Sequence, residues 1–182
     1  MAGDEVLQAI RERRSIRRFE DRAVAPELLE NLLEAARWAP SWGNSQCWEI
    51  VVVGDPGDKE RLAALLSPKN PGSLAVSNAP LILAVAGRQK TAGYYKNEAK
   101  TVYDDWLLYD LGILTQTICL AAHALGLGTV IVGSFDHRMA AELLAIPEGY
   151  SLVSLIPLGY PAHSPAPPPR KASEAFVHYS RF

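Results

Sequence analysis

The sequence is poor in the residues that announce disulfide, thiolate or metal chemistry. Cys47 and Cys119 are its two cysteines, far apart and in no Cys-x-x-Cys spacing, which argues against a structural disulfide or a cysteine zinc site. His123, His137, His163 and His178 share no metal-ligand spacing with one another or with carboxylates, so no bound metal is expected. There is no Gly-x-Ser-x-Gly elbow and no Walker-type phosphate loop. Gly126-x-Gly128 with Gly133 is a poor dinucleotide fingerprint, because the run follows a helical pattern and the third glycine is misplaced; a glycine cap after a helix explains it. Nor is there an excess of one charge: the net charge is −2 and the pI near 6.1, whereas nucleic-acid-binding domains are usually strongly basic. No apolar run has the uninterrupted length of a membrane span. Met1 to Ile10 carries acidic residues and no long apolar stretch, so no leader is expected, and a reducing cytoplasm is the expected setting. With no nucleophile and base in sight, any enzymatic chemistry is expected to belong to a bound cofactor.

What the sequence does have is arginine in one place. Of twelve arginines, six fall between Arg11 and Arg22, four of them in the run Arg13-Arg14-Ser15-Ile16-Arg17-Arg18-Phe19. The guanidinium fork pairs bidentately with phosphate, and Ser15 adds a hydroxyl that donates to a phosphate oxygen. On a near-neutral chain, such a local positive site suits a small anion better than a polyanion. The bland alternative is a solvated basic turn at a helix end, favoured there by the dipole.

At 182 residues, 48% hydrophobic and 21% charged, the chain is expected to form a single domain over residues 1–182. Asp4 introduces a first helix with Val6, Leu7 and Ile10 on one face. Pro26 opens a second that runs to Trp38, with Leu28, Leu29, Leu32, Leu33 and Ala36 as its stripe. A polar loop from Pro40 to Trp48 leads into a β-branched strand, Trp48 to Val53, suited to a sheet interior. Gly54 to Gly57 reads as a turn, Asp58 to Leu66 as a short helix, Ser67 to Asn78 as a polar loop and Pro80 to Ala86 as a buried strand. Arg88 to Lys100 is polar and expected to be mobile. The longest helix is expected from Thr101 to Leu125, begun by Asp104-Asp105 and apolar almost all round, as a central or interface helix is. Asp136 caps a helix with Met139, Leu143 and Leu144, and Ser151 to Leu158 is a last core strand. Interleaved helices with few strands predict an α+β fold, a modest sheet packed under helices.

Three separated features suit one kind of ligand: the arginines, the amides of Asn44 and Gln46, and Arg170-Lys171 in a proline-rich tail. Flavin mononucleotide has both the phosphate and the heteroaromatic ring that such groups bind. The blocks Arg13-Arg14-Ser15-Ile16-Arg17-Arg18-Phe19, Ala39-Pro40-Ser41-Trp42-Gly43-Asn44-Ser45-Gln46-Cys47-Trp48 and Leu125-Gly126-Leu127-Gly128-Thr129 with Gly133-Ser134-Phe135-Asp136 resemble the nitroreductase family of FMN-dependent oxidoreductases. The late Gly159-Tyr160-Pro161 and Arg170-Lys171 fit the family's ending, so the resemblance spans nearly the whole chain.

The resemblance implies a nitroreductase-like fold, with a mixed or antiparallel sheet flanked by helices, assembled as an intertwined homodimer with two FMN sites at its interface. Arg13, Arg14 and Ser15 would meet the phosphate and ribityl end, Arg170 and Lys171 would close from the tail, and Arg17 would lie near the flavin N1/O2 edge. Pro40, Ser41 and Trp42 would come from the partner subunit, with Asn44 and Gln46 on the same loop. Asn70 would reach the pyrimidine edge, and Val132 and Gly133 the other, with the Gly133 N–H near the hydride-accepting N5. The implied reaction is ping-pong: NAD(P)H reduces FMN, then a nitroaromatic or quinone acceptor takes its place. Trp42, Tyr94 and Tyr95 are the candidates for acceptor stacking. Cys47 stands where the family usually has proline, and Trp42 is large for its loop. Flavin destruction, reductive dehalogenation, a dehydrogenase acting on a peptide-derived substrate and a non-catalytic FMN-binding protein are the alternatives that the resemblance leaves.

Overall fold

In the computed structural model, which describes residues 2–182, helices and strands follow the predicted order with several boundaries moved. Met1, where the leader reading begins, lies outside the described residues. Helices α1 (Ala2–Glu12) and α2 (Pro26–Arg37) lead, then a 3-10 turn at Trp42–Asn44 and strand β1 (Trp48–Val53). Short helices α3 (Pro56–Ala64) and α4 (Ser73–Asn78) precede strand β2 (Leu81–Arg88). A small hairpin of β3 (Tyr94–Tyr95) and β4 (Glu98–Ala99) leads to the long helix α5 (Leu107–Ala124). Strand β5 (Gly128–Thr129), helix α6 (His137–Leu143) and strand β6 (Tyr150–Gly159) follow, and a 3-10 turn at Ser173–Ala175 lies in the tail.

The main sheet has the order β1–β2–β6–β5, every neighbour antiparallel. Its centre, β2, is buried on both faces, which is why Leu81 to Gly87 reads as a continuous apolar run. Leu83 and Val85 pack with α2 and α5 through Leu32, Leu111, Leu114 and Ile118. Ile82, Ala84 and Ala86 face the opposite layer, with Leu62 of α3, Val76 of α4 and Ala140 of α6. An irregularity between Val85 and Ala86 makes Val85 pair with Ser154 and Ala86 with Leu152. The extra residue, Val153, lets Leu152 and Leu155 face one layer although they are three apart.

Five expectations are corrected. The long helix starts at Leu107, not Thr101, because Asp105 stops the chain there: its carboxylate accepts from the N–H of Leu107 (2.9 Å) and of Lys90 (2.7 Å). Trp106 is held over Gly93, where a Cβ would sit 2.7 Å from the indole. Helix α3 begins at Pro56, capped by Asp55 through the Asp58 N–H, so the turn expected at Gly54 to Gly57 ends sooner. Six-residue α4 lies inside the expected polar loop and is too short to show periodicity. Strand β1 is an edge of this sheet, with Glu49 and Val52 exposed, rather than an interior strand. The polar stretch expected from Arg88 holds the end of β2 and the β3–β4 hairpin.

At the opposite edge, Ser15 pairs with Thr129, and the Ile16 N–H donates to the Thr129 carbonyl at 2.8 Å. Farther along, the Glu20 N–H bonds to the Tyr160 carbonyl and the Ala162 N–H to that of Arg18. The arginine segment is thereby laid against the ends of β5 and β6. Close approach requires glycine at 128, where a Cβ would meet buried Ile16 at 2.7–3.0 Å. Gly128→Ala is therefore expected to destabilise the protein by about 1–3 kcal/mol, read from urea unfolding; an unchanged midpoint would show that Ile16 yields freely.

Candidate active site

Arg13 and Arg14 are half-buried at the C-terminal end of α1 and share a cleft of about 300 Å³ with Ile10, Pro167, Pro168 and Arg170. The two basic stretches of the chain thus line one cleft. Among the described residues, none of the arginines from Arg11 to Arg22, nor Arg170, is in a salt bridge. Arg14 in part follows the bland reading: its Nη1 donates to the carbonyls of Arg11 (2.7 Å) and Arg13 (2.9 Å) and so caps α1. A smaller cavity of about 100 Å³ continues from Arg13 to Cys119, His123 and Thr129. Arg17 is exposed beyond this cleft, and Lys171 is exposed in the tail.

From Thr129 the chain runs beside β6 to Val132 and Gly133. The Val132 N–H donates to the Leu155 carbonyl, and the Leu155 N–H to the Val132 carbonyl, each at 2.9 Å. A trans peptide points its C=O and N–H in opposite directions. With the Val132 carbonyl fixed on β6, the Gly133 N–H must point away from the sheet, and it has no partner among the described residues. The next peptides are pinned too. His137 lies 3.1 Å from the Gly133 carbonyl and 2.9 Å from that of Leu152, and Asn70 Nδ2 donates to the Ser134 carbonyl at 3.0 Å. Asn70, Val132 and Gly133 therefore form one corner.

The Pro40-to-Trp48 loop sits elsewhere on the same chain, against the first half of α5. Gly43, Asn44 and Gln46 all have positive φ, at 54°, 55° and 45°, and the Gln46 N–H donates to Ser41 Oγ at 2.9 Å. Asp110 of α5, 1% exposed, accepts the Trp42 N–H at 3.1 and 3.0 Å on its two oxygens. Ser45 Oγ (3.4 Å) and Cys47 Sγ (3.8 Å) also donate to it. Arg13 approaches the other half of α5, at Cys119 and His123. The nine helical rises from Asp110 to Cys119 span about 14 Å, so one chain holds the loop and the arginine cleft apart.

The nitroreductase family model matches residues 10–160. This chain belongs to the nitroreductase family. It is 32% identical to an FMN reductase of Bacillus subtilis over 98% of this chain and 75% of that one. It is 30% identical to an NADH dehydrogenase of Thermus thermophilus over 91% of each. Its structure resembles the NADPH:FMN oxidoreductase of Vibrio harveyi, solved in complex with NAD+, with a TM-score of 0.83 and 26% identity over 98% of this chain and 78% of that one.

The stacking candidates are only partly assembled. Trp42 lines a cavity of about 230 Å³ with Pro40, Ser41, Trp106, Tyr109 and Ile113. Tyr94 and Tyr95 stand on the β3–β4 hairpin, with the Tyr95 ring near the ammonium groups of Lys96 and Lys100, and neither lines that cavity. Sequence reading passed over Trp106 and Tyr109, whose rings meet edge to face at 5.1 Å. It also passed over Asp110, hidden in an apolar helix; the one available signal was a lone carboxylate between Leu107 and Leu111.

Burial, the largest effect on it, raises the Asp110 carboxyl above the ordinary carboxylate value, while the Trp42, Ser45 and Cys47 donors oppose the rise. Cys47 is pushed up to about 11, first by burial and then by Asp110, so its thiol stays protonated and donates. A raised acid pKa means that the folded chain holds this proton more tightly than the unfolded one. The Asp110 contribution is then fully present at low pH and declines as pH rises above the unfolded aspartate value, through the raised one. Asp110→Asn cannot titrate, so its stability relative to wild type should improve between about pH 4 and pH 7. Urea unfolding across that range checks this; a pH-independent difference would contradict it.

Proposed function

We propose that this nitroreductase is an FMN-dependent NAD(P)H oxidoreductase that passes hydride to a nitroaromatic or quinone acceptor. It would work as a homodimer in which Pro40, Ser41 and Trp42 come from the partner subunit. The donor set fits the cofactor. Arg13, Arg14 and Arg170 converge on one cleft without carboxylate partners among the described residues, and they suit a phosphate. The Gly133 N–H, aimed off the sheet and unpartnered there, suits an acceptor atom of a ring laid along that edge. FMN, when bound, supplies a ring nitrogen that takes hydride from NAD(P)H and returns it to the acceptor.

The chain's own share is binding, orientation and charge. Arg13 and Arg170 anchor the phosphate, with Ser15 and the remaining donors of Arg14 beside them. Arg17, on the same segment, supplies positive charge toward the pyrimidine side of the ring, where electron density accumulates on reduction. Asn70 is split between the Ser134 carbonyl and the Gly72 N–H, the latter at 2.8 Å, so its role is chiefly to hold the Val132–Gly133 corner. Asn44 and Gln46 shape the loop that carries Trp42, and Trp42 offers a flat surface for the acceptor.

Two observations favour the dimer. Leu108, Tyr109 and Gly112 leave a stripe of α5 exposed, although that helix is apolar almost all round. The polar loop and the arginine cleft lie toward opposite halves of α5, so a second copy is the economical way to face one with the other.

The convergent arginines carry this reading, and they are its test. Arg13→Ala and Arg170→Ala are each expected to weaken FMN binding about 10- to 100-fold, followed by quenching of flavin fluorescence, with thermal unfolding of the flavin-free protein little changed. Bound flavin should bleach on addition of NADH or NADPH and recover its colour with a quinone or nitroaromatic. Full FMN affinity in both variants, or flavin that neither nucleotide reduces, refutes the assignment.

A further inference from the structure

We propose that Asp110 is the positioning residue of the site. From inside α5 its carboxylate fixes the Trp42–Cys47 segment, and so sets the wall of Pro40, Ser41 and Trp42 that faces the flavin across the dimer. The inference rests on the function proposed above.

An aspartate is a poor choice for this position on packing grounds. It follows buried Leu107 and precedes Leu111 and Leu114, all 5% exposed or less, and no described salt bridge brings it a cation. A carboxylate in such a place must be compensated by hydrogen-bond donors. Every donor that it has among the described residues comes from one short segment: Trp42 by its backbone N–H, Ser45 by its hydroxyl and Cys47 by its thiol. The helix gains nothing from this carboxylate that a leucine would not give it. The loop does gain. It carries two non-glycine residues with positive φ, Asn44 and Gln46, a conformation that persists when its surroundings over-determine it. Asp110 and Ser41 Oγ supply that determination from the two ends of the segment.

Asp110 also ties the loop to the exposed stripe of α5. Its neighbour Tyr109 and the next-turn Ile113 line the same cavity as Pro40, Ser41 and Trp42, and Leu108 beside them is exposed. A partner docking on that stripe would therefore press on the helix that holds the loop in shape.

Two variants of the holoenzyme separate positioning from simple stability. Asp110→Leu keeps the volume of the core and removes every acceptor; Asp110→Asn keeps one. Asp110→Leu should raise the FMN dissociation constant and the acceptor KM about tenfold or more, with turnover at saturating FMN and acceptor falling less than about threefold. Asp110→Asn should recover much of the loss. If Asp110→Leu does not fold, the double variant Ser45→Ala/Cys47→Ala removes two donors and leaves α5 intact; about a two- to fivefold rise in both constants is expected. Folded Asp110→Leu, or failing that the double variant, with wild-type FMN affinity and KM overturns the positioning role and leaves the oxidoreductase reading standing. Wild-type protein that takes up no FMN overturns both.

Discussion

Six arginines within twelve positions, none paired with a carboxylate among the described residues, repel one another and have to be held by something other than charge. The backbone does it. The Ile16 N–H on the Thr129 carbonyl, with the Glu20 and Ala162 bonds farther along, stitches the segment to the ends of β5 and β6. Arg22 lies over the Tyr160 ring at 3.8 Å, which adds a cation–π contact at the far end. Positive charge fixed by backbone geometry is preorganised for an anion, since little further ordering has to accompany binding. The tail completes it by bringing Arg170 to the cleft.

Helix α5 is the second organising element, and it serves three surfaces at once. One side packs on β2 and α2, another lies beside the cavity below Arg13 through Cys119 and His123, and Asp110 holds the polar loop. Its 18 residues have a mean hydropathy of 1.3, enough in length and composition to cross a membrane. The packing against sheet and helix explains that composition, and the uncovered stripe at Leu108, Tyr109 and Gly112 accounts for the apolar residues that packing leaves over.

The sheet, the long helix and the arginine cluster were legible because each leaves a pattern longer than its noise. The continuous apolar run of β2 announces a strand buried on both faces, and six clustered arginines stand out on a chain of net charge −2. Short features were not legible. Six residues of α4 do not complete two helical turns, and the start of α5 depends on Asp105 meeting a loop fifteen positions away. Edge position was hidden as well, because β1 is as β-branched as a central strand. Asp110 was missed for a different reason: its meaning lies in a contact with Trp42 sixty-eight residues distant, and nothing local marks it. Gly133 could be assigned a role by resemblance, yet the direction of its N–H follows only from the pairing of Val132 with Leu155.

The proposed site is one that a single chain does not complete. Sedimentation velocity of the FMN-loaded protein, recorded at the flavin absorbance over a range of protein concentrations, tests it most directly. The prediction is that flavin sediments with a dimer carrying one FMN per chain, and is released as dilution dissociates that dimer. Flavin that sediments with a stable monomer at undiminished occupancy would contradict it.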